Sequence, residues 1–253
     1  MSKEHKTYLK KIKLEKILVL FLQVFILVAF LIAWEVLSNL KIINPFIFSS
    51  PSKVLVTIKN LFLNYNLIHH IFTTIYETLI AFTIGITLSF IIAILLYEFR
   101  ILNKVIDPYL TLINSLPKVA LGPLIIIIVG ANTKSIIVMA LLINLIVGII
   151  SIYNGFNNID SDLIKLFKTF KASKLDTLFK LTIPATYKTI ISSLKLNISM
   201  TLIGVIMGEF LVSKAGLGYL IIYGTQVFNL NMVISGIVIL LLISFILYKV
   251  ITY

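Results

Sequence analysis

Residues 17–37 read Ile-Leu-Val-Leu-Phe-Leu-Gln-Val-Phe-Ile-Leu-Val-Ala-Phe-Leu-Ile-Ala-Trp-Glu-Val-Leu, with Glu35 the only charge. As a helix, a run of this length matches the roughly 30 Å hydrocarbon thickness of a bilayer. Lys3, Lys6, Lys10, Lys11, Lys13 and Lys16 precede it. Basic residues followed by an apolar run could form a cleaved export signal. The run is too long for that, and no small-residue cleavage site follows. It reads as a retained first transmembrane helix ending near Trp34, an aromatic suited to the interface.

Working outward, five more apolar segments follow, at about 71–97, 106–129, 135–153, 189–212 and 232–251. The third is interrupted at Pro117 and Pro123. The whole chain of 253 residues is 59% hydrophobic and 13% charged, with a mean hydropathy of +1.08. Soluble domains are about half apolar and a quarter charged, so too little polar surface remains here to cover a water-soluble globule. The fold class expected is all-α and integral to the membrane, with about six transmembrane helices in a single domain, residues 1–253. No convincing internal repeat is visible.

The formal net charge is +12 and almost all of the basic charge is lysine, Arg100 being the only arginine. Nucleic-acid readers lean on arginine forks, and no basic patch is interleaved with exposed aromatics, so no nucleic-acid partner is expected. There is no cysteine, and the histidines are His5, His69 and His70, all outside the apolar runs. No metal, haem or other cofactor is expected. His69–His70 reads as a solvated pair at a helix start. A membrane-embedded enzyme would need acids, hydroxyls, thiols or imidazoles converging at one depth, and catalytic residues are therefore not assigned.

Basic residues in short loops orient a membrane protein. With the N-terminus inside, the inner segments hold the basic N-terminus (1–16), Arg100, Lys104, Lys165, Lys168, Lys171, Lys174, Lys180, Lys188 and Lys249. The outer segments hold Lys41, Lys53, Lys59, Lys134 and Lys214, a ratio of 15 to 5. Both termini are expected in the cytoplasm, with the lipid bilayer as the solvent of the helices.

Residues 154–188 form the longest inner connection. Leu163, Leu166, Phe167 and Phe170 recur at helical spacing, with Lys165, Lys168 and Lys171 mainly on other faces. A second short helix over about Lys174–Leu181 is expected to end before Pro184. Two uses of this helical pair stay open: resting on anionic lipid, or docking a cytoplasmic partner.

The run Ile159–Tyr223 resembles the signature region of binding-protein-dependent ABC importer permeases. Lys165-Leu166-Phe167 stands where that family has Glu-Ala-Ala, and Lys171 stands where it has Gly. Ala172-Ser173, Ile183-Pro184-Ala185, Gly208-Glu209-Phe210 and Gly216-Leu217-Gly218-Tyr219 follow in the family's order. Upstream, Trp34-Glu35, Ser50-Pro51-Ser52-Lys53-Val54, Thr73-Thr74 to Ala81-Phe82, and Asp107-Pro108 to Gly122-Pro123-Leu124 are similar to the nitrate/sulfonate/taurine branch. The set is collinear over nearly the whole chain. Glu77 departs from the branch, which has Arg there, while Gly85, Ser89 and Ala93 keep a small-xxx-small spacing that permits close helix packing.

The resemblance implies a MetI-like ABC importer permease fold in a bacterial cytoplasmic membrane. It implies two ABC ATPase subunits, a second copy of the chain and an external or periplasmic solute-binding protein as partners. The chain has no Gly-x-x-x-x-Gly-Lys-Ser/Thr phosphate loop, so ATP hydrolysis belongs to a separate polypeptide. By the resemblance, 154–188 is the coupling loop, with Lys165, Leu166, Phe167, Phe170, Lys171 and Pro184 as contacts. Phe167 and Phe170 are read either as anchors in the ATPase or as packing against the chain's own helix bases. Pro117, Lys118, Glu209, Gly216 and Gly218 are the candidates for the translocation pathway, with Gly224 helping a tight, re-entrant turn. Lys118 is read either as lining the pathway, where it would attract an anion, or as snorkelling or pairing with an acid such as Glu77. A secondary transporter or channel, or a scaffold subunit with a degenerate loop, stays open beside the importer.

Overall fold

In the computed structural model, which describes residues 3–252, every regular element is a helix. Met1, Ser2 and Tyr253 lie outside the described residues, as do the side chains of Lys3, Glu4, Lys6 and Thr7 in the basic N-terminus. In chain order the helices are α1 (Lys3–Asn39), α2 (Pro45–Phe48), α3 (Pro51–Asn64), α4 (Leu67–Glu98), α5 (Arg100–Ser115), α6 (Gly122–Val129) and α7 (Thr133–Asn157). Then come α8 (Ser161–Thr169), α9 (Lys174–Thr177), α10 (Ile183–Ala185), α11 (Tyr187–Val212), α12 (Leu217–Gln226) and α13 (Leu230–Thr252). Five of these (α1, α4, α7, α11 and α13) are long and apolar enough to cross a bilayer, and the bent pair α5–α6 makes a sixth span if counted as one.

The third span differs from the expectation of one helix interrupted twice. Its two halves meet at 85°. The break is at Pro117 alone: Leu116 before it is extended (φ −68°, ψ 139°), as the clash with a following proline ring demands. A short 3₁₀ turn, Lys118–Leu121, connects the halves. Pro123 starts α6 rather than interrupting a helix, since its missing N–H costs nothing in a first turn.

The core is the packing of α7 between α4 and α11. Ala81, Ile136, Ala140 and Val205 fill its centre. Gly204 lets α11 approach so closely that a Cβ there would stand 2.5 Å from the Ala140 Cα. Gly85, Ser89 and Ala93 all face this core, and the Ser89 hydroxyl donates to the Leu145 carbonyl at 2.9 Å. At the centre Asn144 donates to the Ala81 carbonyl (3.2 Å) and to the Thr201 hydroxyl (2.7 Å), tying three helices together. In hydrocarbon such shared polar contacts and small residues hold helices that gain nothing from hydrophobic burial between them.

Helix α1 is held to the rest of the chain near its C-terminal end, and its apolar window is exposed all round. There the Trp34 indole donates to the Phe48 carbonyl (3.1 Å) and the Ser38 hydroxyl to the Ser49 carbonyl (2.7 Å). Glu35 accepts from the Ser52 N–H (3.0 Å) and hydroxyl (2.8 Å). The Trp34-Glu35 and Ser50-Pro51-Ser52 motifs thus meet. Ser50 caps α3 and Pro51 sits in its first turn, a start signal legible in the sequence.

Candidate functional site: a buried carboxyl node and an exposed loop

The first cluster lies at the membrane face opposite the 154–188 loop. Glu209, near the end of α11, is fully buried. Its carboxyl accepts the Thr74 hydroxyl of α4 at 2.6 Å and the Gly218 N–H at the start of α12. The Thr74 oxygen in turn accepts the Leu217 N–H (2.8 Å), and His70 Nδ1 accepts the Gly216 N–H (3.0 Å). Three successive N–H groups, those of Gly216, Leu217 and Gly218, are orphans at the N-terminus of α12. All three are satisfied by side chains from α4 and α11. Gly216 has φ +105° and ψ 167°, a region essentially reserved for glycine. A Cβ there would fall inside the Glu209 carboxyl.

The node therefore brings Glu209, Gly216 and Gly218 together. It buries them in this conformation rather than exposing them along an open path. His70 is a half-buried structural anchor, stacked on Tyr219 at 5.8 Å, and it also meets the exposed His69 ring edge-on at 6.0 Å. Glu77 is also buried and lies beside Glu209, with one carboxyl oxygen that has no hydrogen-bond partner. Glu77 is thus not the partner of Lys118, whose ammonium donates to the Asn114 carbonyl (3.0 Å) and side-chain oxygen (3.3 Å) one turn earlier. Pro117 and Lys118 form the bend of the third span and make no part of the node.

The second cluster is the 154–188 loop. Its root is largely apolar: Leu178 and Leu181 are buried together with Thr182, and Ile183 packs with Ile152 and Phe156 near the C-terminal ends of α4 and α7. The second short helix does not stop before Pro184. It continues as a π-type turn over Leu178–Thr182 into α10, with Pro184 in the first turn of that piece. The widened turn accommodates a proline that neither donates a hydrogen bond nor tolerates the carbonyl four residues back.

The tip is α8. Asp160 caps its start. At its end the Lys171 N–H bonds to the Lys168 carbonyl (2.9 Å) and the Ala172 N–H to the Phe167 carbonyl (3.1 Å). This is a Schellman turn, which places the residue after the cap in the left-handed region. Lys171 has φ +55°. The position where the resembled family has Gly keeps the glycine conformation with a lysine in it. Lys171→Gly is expected to stabilise the turn by about 1 kcal/mol, slowing hydrogen exchange at the Lys171 and Ala172 amides roughly fivefold. Lys171→Ala should show no such gain.

Phe167, Phe170 and Lys171 share one groove with Asp176 and Lys180. Phe170 is 75% exposed and Leu166 48%, so Phe170 does not pack on the chain's own helix bases. Lys165 pairs with Asp162 at 2.8 Å on the open surface, a contact of little energetic weight. Lys180 and Ser173 donate to Asp176 and hold its carboxyl below the ordinary carboxylate range. Pro184 lies apart from the groove.

The comparisons agree with this architecture. Residues 85–253 match the family model described as the binding-protein-dependent transport system inner membrane component. A Haemophilus influenzae chain named as an ABC transporter permease is 31% identical over 219 residues, covering 86% of this chain and 88% of its own. A Bacillus subtilis permease named for aliphatic sulfonates transport is 26% identical, covering 81% of this chain and 75% of its own. Among solved structures, the MetNI methionine ABC transporter in inward-facing form aligns with a TM-score of 0.68 at 16% identity, over 75% of this chain and 94% of that one. The fold is that of the MetI permease. The chain belongs to the family of inner membrane components of binding-protein-dependent transport systems, the permease subunits of ABC importers.

Proposed function

We propose that this permease couples to a separate ABC ATPase through α8 and α9 and carries a small organic anion. The observation that carries the coupling is the α8 tip: Phe170 and Leu166 stand exposed on a loop whose root is buried against α4 and α7. An apolar tip on a fixed root is what a docking element needs, because motion of the partner reaches the spans without being lost in a slack loop. The lysines at 165 and 171 do not argue for a degenerate scaffold, since the turn after α8 keeps its geometry. The anion reading draws on the sulfonate permease relative and on Lys118 at the bend of the third span.

In this reading two copies of the chain enclose the pathway, two ATPases meet the 154–188 face in the cytoplasm, and a solute-binding protein meets the opposite face. Two measurements test it. Mass measurement of the complex purified in detergent should give two permease chains with two ATPases; a single chain without ATPase would sink the reading. In this cysteine-free chain, single cysteines at the exposed positions Lys171, Ser52 and Lys214 report orientation. Lys171→Cys should resist an impermeant thiol reagent in intact cells, whereas Ser52→Cys and Lys214→Cys should react.

A further inference from the structure

On the face that carries the 154–188 loop, a cavity of about 890 Å³ lies between the α4–α5 turn and the loop. Arg100 and Lys104 line it from α5, and Lys168 and Lys174 from the loop. Glu98 is the only carboxylate on the lining. Among the described residues the ion pairs are Lys165–Asp162 and Lys180–Asp176. The four cations of the cavity are in neither, so their charge is left for something else. Four cations brought to one cavity from two separate segments raise its positive potential and attract an anion.

The surroundings favour an amphipathic anion. Phe99 (57% exposed), Ile101 (82%) and Val105 (57%) stand bare beside Arg100 and Lys104. Tyr97 and Tyr153, aromatics of the kind found at headgroup level, are on the lining. The cavity thus opens where the long apolar helix α4 ends, with exposed cations and exposed apolar side chains side by side around it. A soluble anion would need only the former. A lipid needs both, a phosphate for the cations and acyl chains for the apolar rim. Phe167 and Phe170 line a neighbouring groove that shares only Ala172 with this cavity, so the lipid site lies beside the apolar tip assigned to the ATPase and does not include it.

We propose that this cavity binds the phosphate head of an anionic phospholipid, bridging the α4–α5 turn to the 154–188 loop. Arg100 suits two phosphate oxygens at once, and the three lysines act as point charges around them. Basic pockets between membrane helices hold such head groups. Asn103, also on the lining, has a buried side-chain oxygen without a hydrogen-bond partner, an acceptor for a hydroxyl-bearing head such as phosphatidylglycerol's. The inference needs only that the chain spans a membrane, and holds whichever side the loop faces.

The test is lipid binding by native mass spectrometry on the purified full chain, offered phosphatidylglycerol or phosphatidylcholine. Wild type should retain one phosphatidylglycerol per chain at least tenfold more strongly than phosphatidylcholine. Arg100→Gln with Lys104→Gln should lose that preference, and so should Lys168→Gln with Lys174→Gln; all four side chains are exposed, and size-exclusion profiles should stay unchanged. Lys10→Gln with Lys188→Gln removes the same charge elsewhere and should keep the preference. Equal losses in all three double variants would mean diffuse attraction and overturn the site. Displacement of phosphatidylglycerol by millimolar inorganic phosphate would assign the cavity to a soluble phosphate and overturn the lipid.

Discussion

Glu209→Ala is expected to leave little folded permease. The substitution removes the acceptor of two buried donors, the Thr74 hydroxyl and the Gly218 N–H. Each orphaned donor costs about 1–3 kcal/mol, against a total stability of order 5–15 kcal/mol. Gly216→Ala should do comparable damage by another route. Its backbone conformation (φ +105°) costs a non-glycine residue about 1–3 kcal/mol, and the added methyl displaces the Glu209 carboxyl. Glu77→Gln is the control. An amide in place of the Glu77 carboxyl changes the volume little and leaves Glu209 to accept from Thr74 and Gly218 as before. The measurement is the monodisperse fraction and thermal unfolding midpoint in detergent. A Glu209→Ala protein with the wild-type midpoint would show that the node does not hold α12 in place.

Phe170→Ala should weaken ATPase binding about 30-fold, the consequence of losing an interface anchor worth about 2 kcal/mol. The residue is three-quarters exposed in the isolated chain and its backbone lies at the end of a capped helix. Truncation therefore removes contact area and leaves the chain's own fold alone. Because the lost contact is apolar, the defect should persist at low and high salt. Contacts of the loop lysines act chiefly on encounter and should fade with salt. ATPase retention on the immobilised permease, with transport assayed in parallel, decides this. If α8 merely rests on lipid, Phe170→Ala will leave ATPase retention unchanged.

Both clusters had partial signatures in the sequence. Gly208-Glu209 and Gly216-Leu217-Gly218 stood out as motifs, because a carboxylate in an apolar run and clustered glycines are locally conspicuous. That they form one node was not legible, since Thr74 lies 135 residues from Glu209. The anchoring role of His70 was not legible for the same reason: its partner, the Gly216 N–H, is 146 residues away. Lys171 was visible as a departure from a glycine position. Its positive φ came only from the turn it closes.

The sequence by itself determined the class, the number of spans to within the bent pair, and the start of α3, whose Ser50-Pro51 cap was there to be read. These are set by hydrocarbon thickness, by backbone hydrogen bonding and by proline geometry, all of which act over a few neighbouring residues. Only the tertiary structure decided that the third span folds back by 85°, that Glu77 faces Glu209 rather than Lys118, that Asn144 ties three helices, and that Arg100 and Lys104 share a cavity with Lys168 and Lys174. Each of these depends on which helix faces approach each other. An apolar run that lipid solvates on every side carries little record of which face will meet protein, so the choice falls to a few small and polar residues whose partners lie far along the chain.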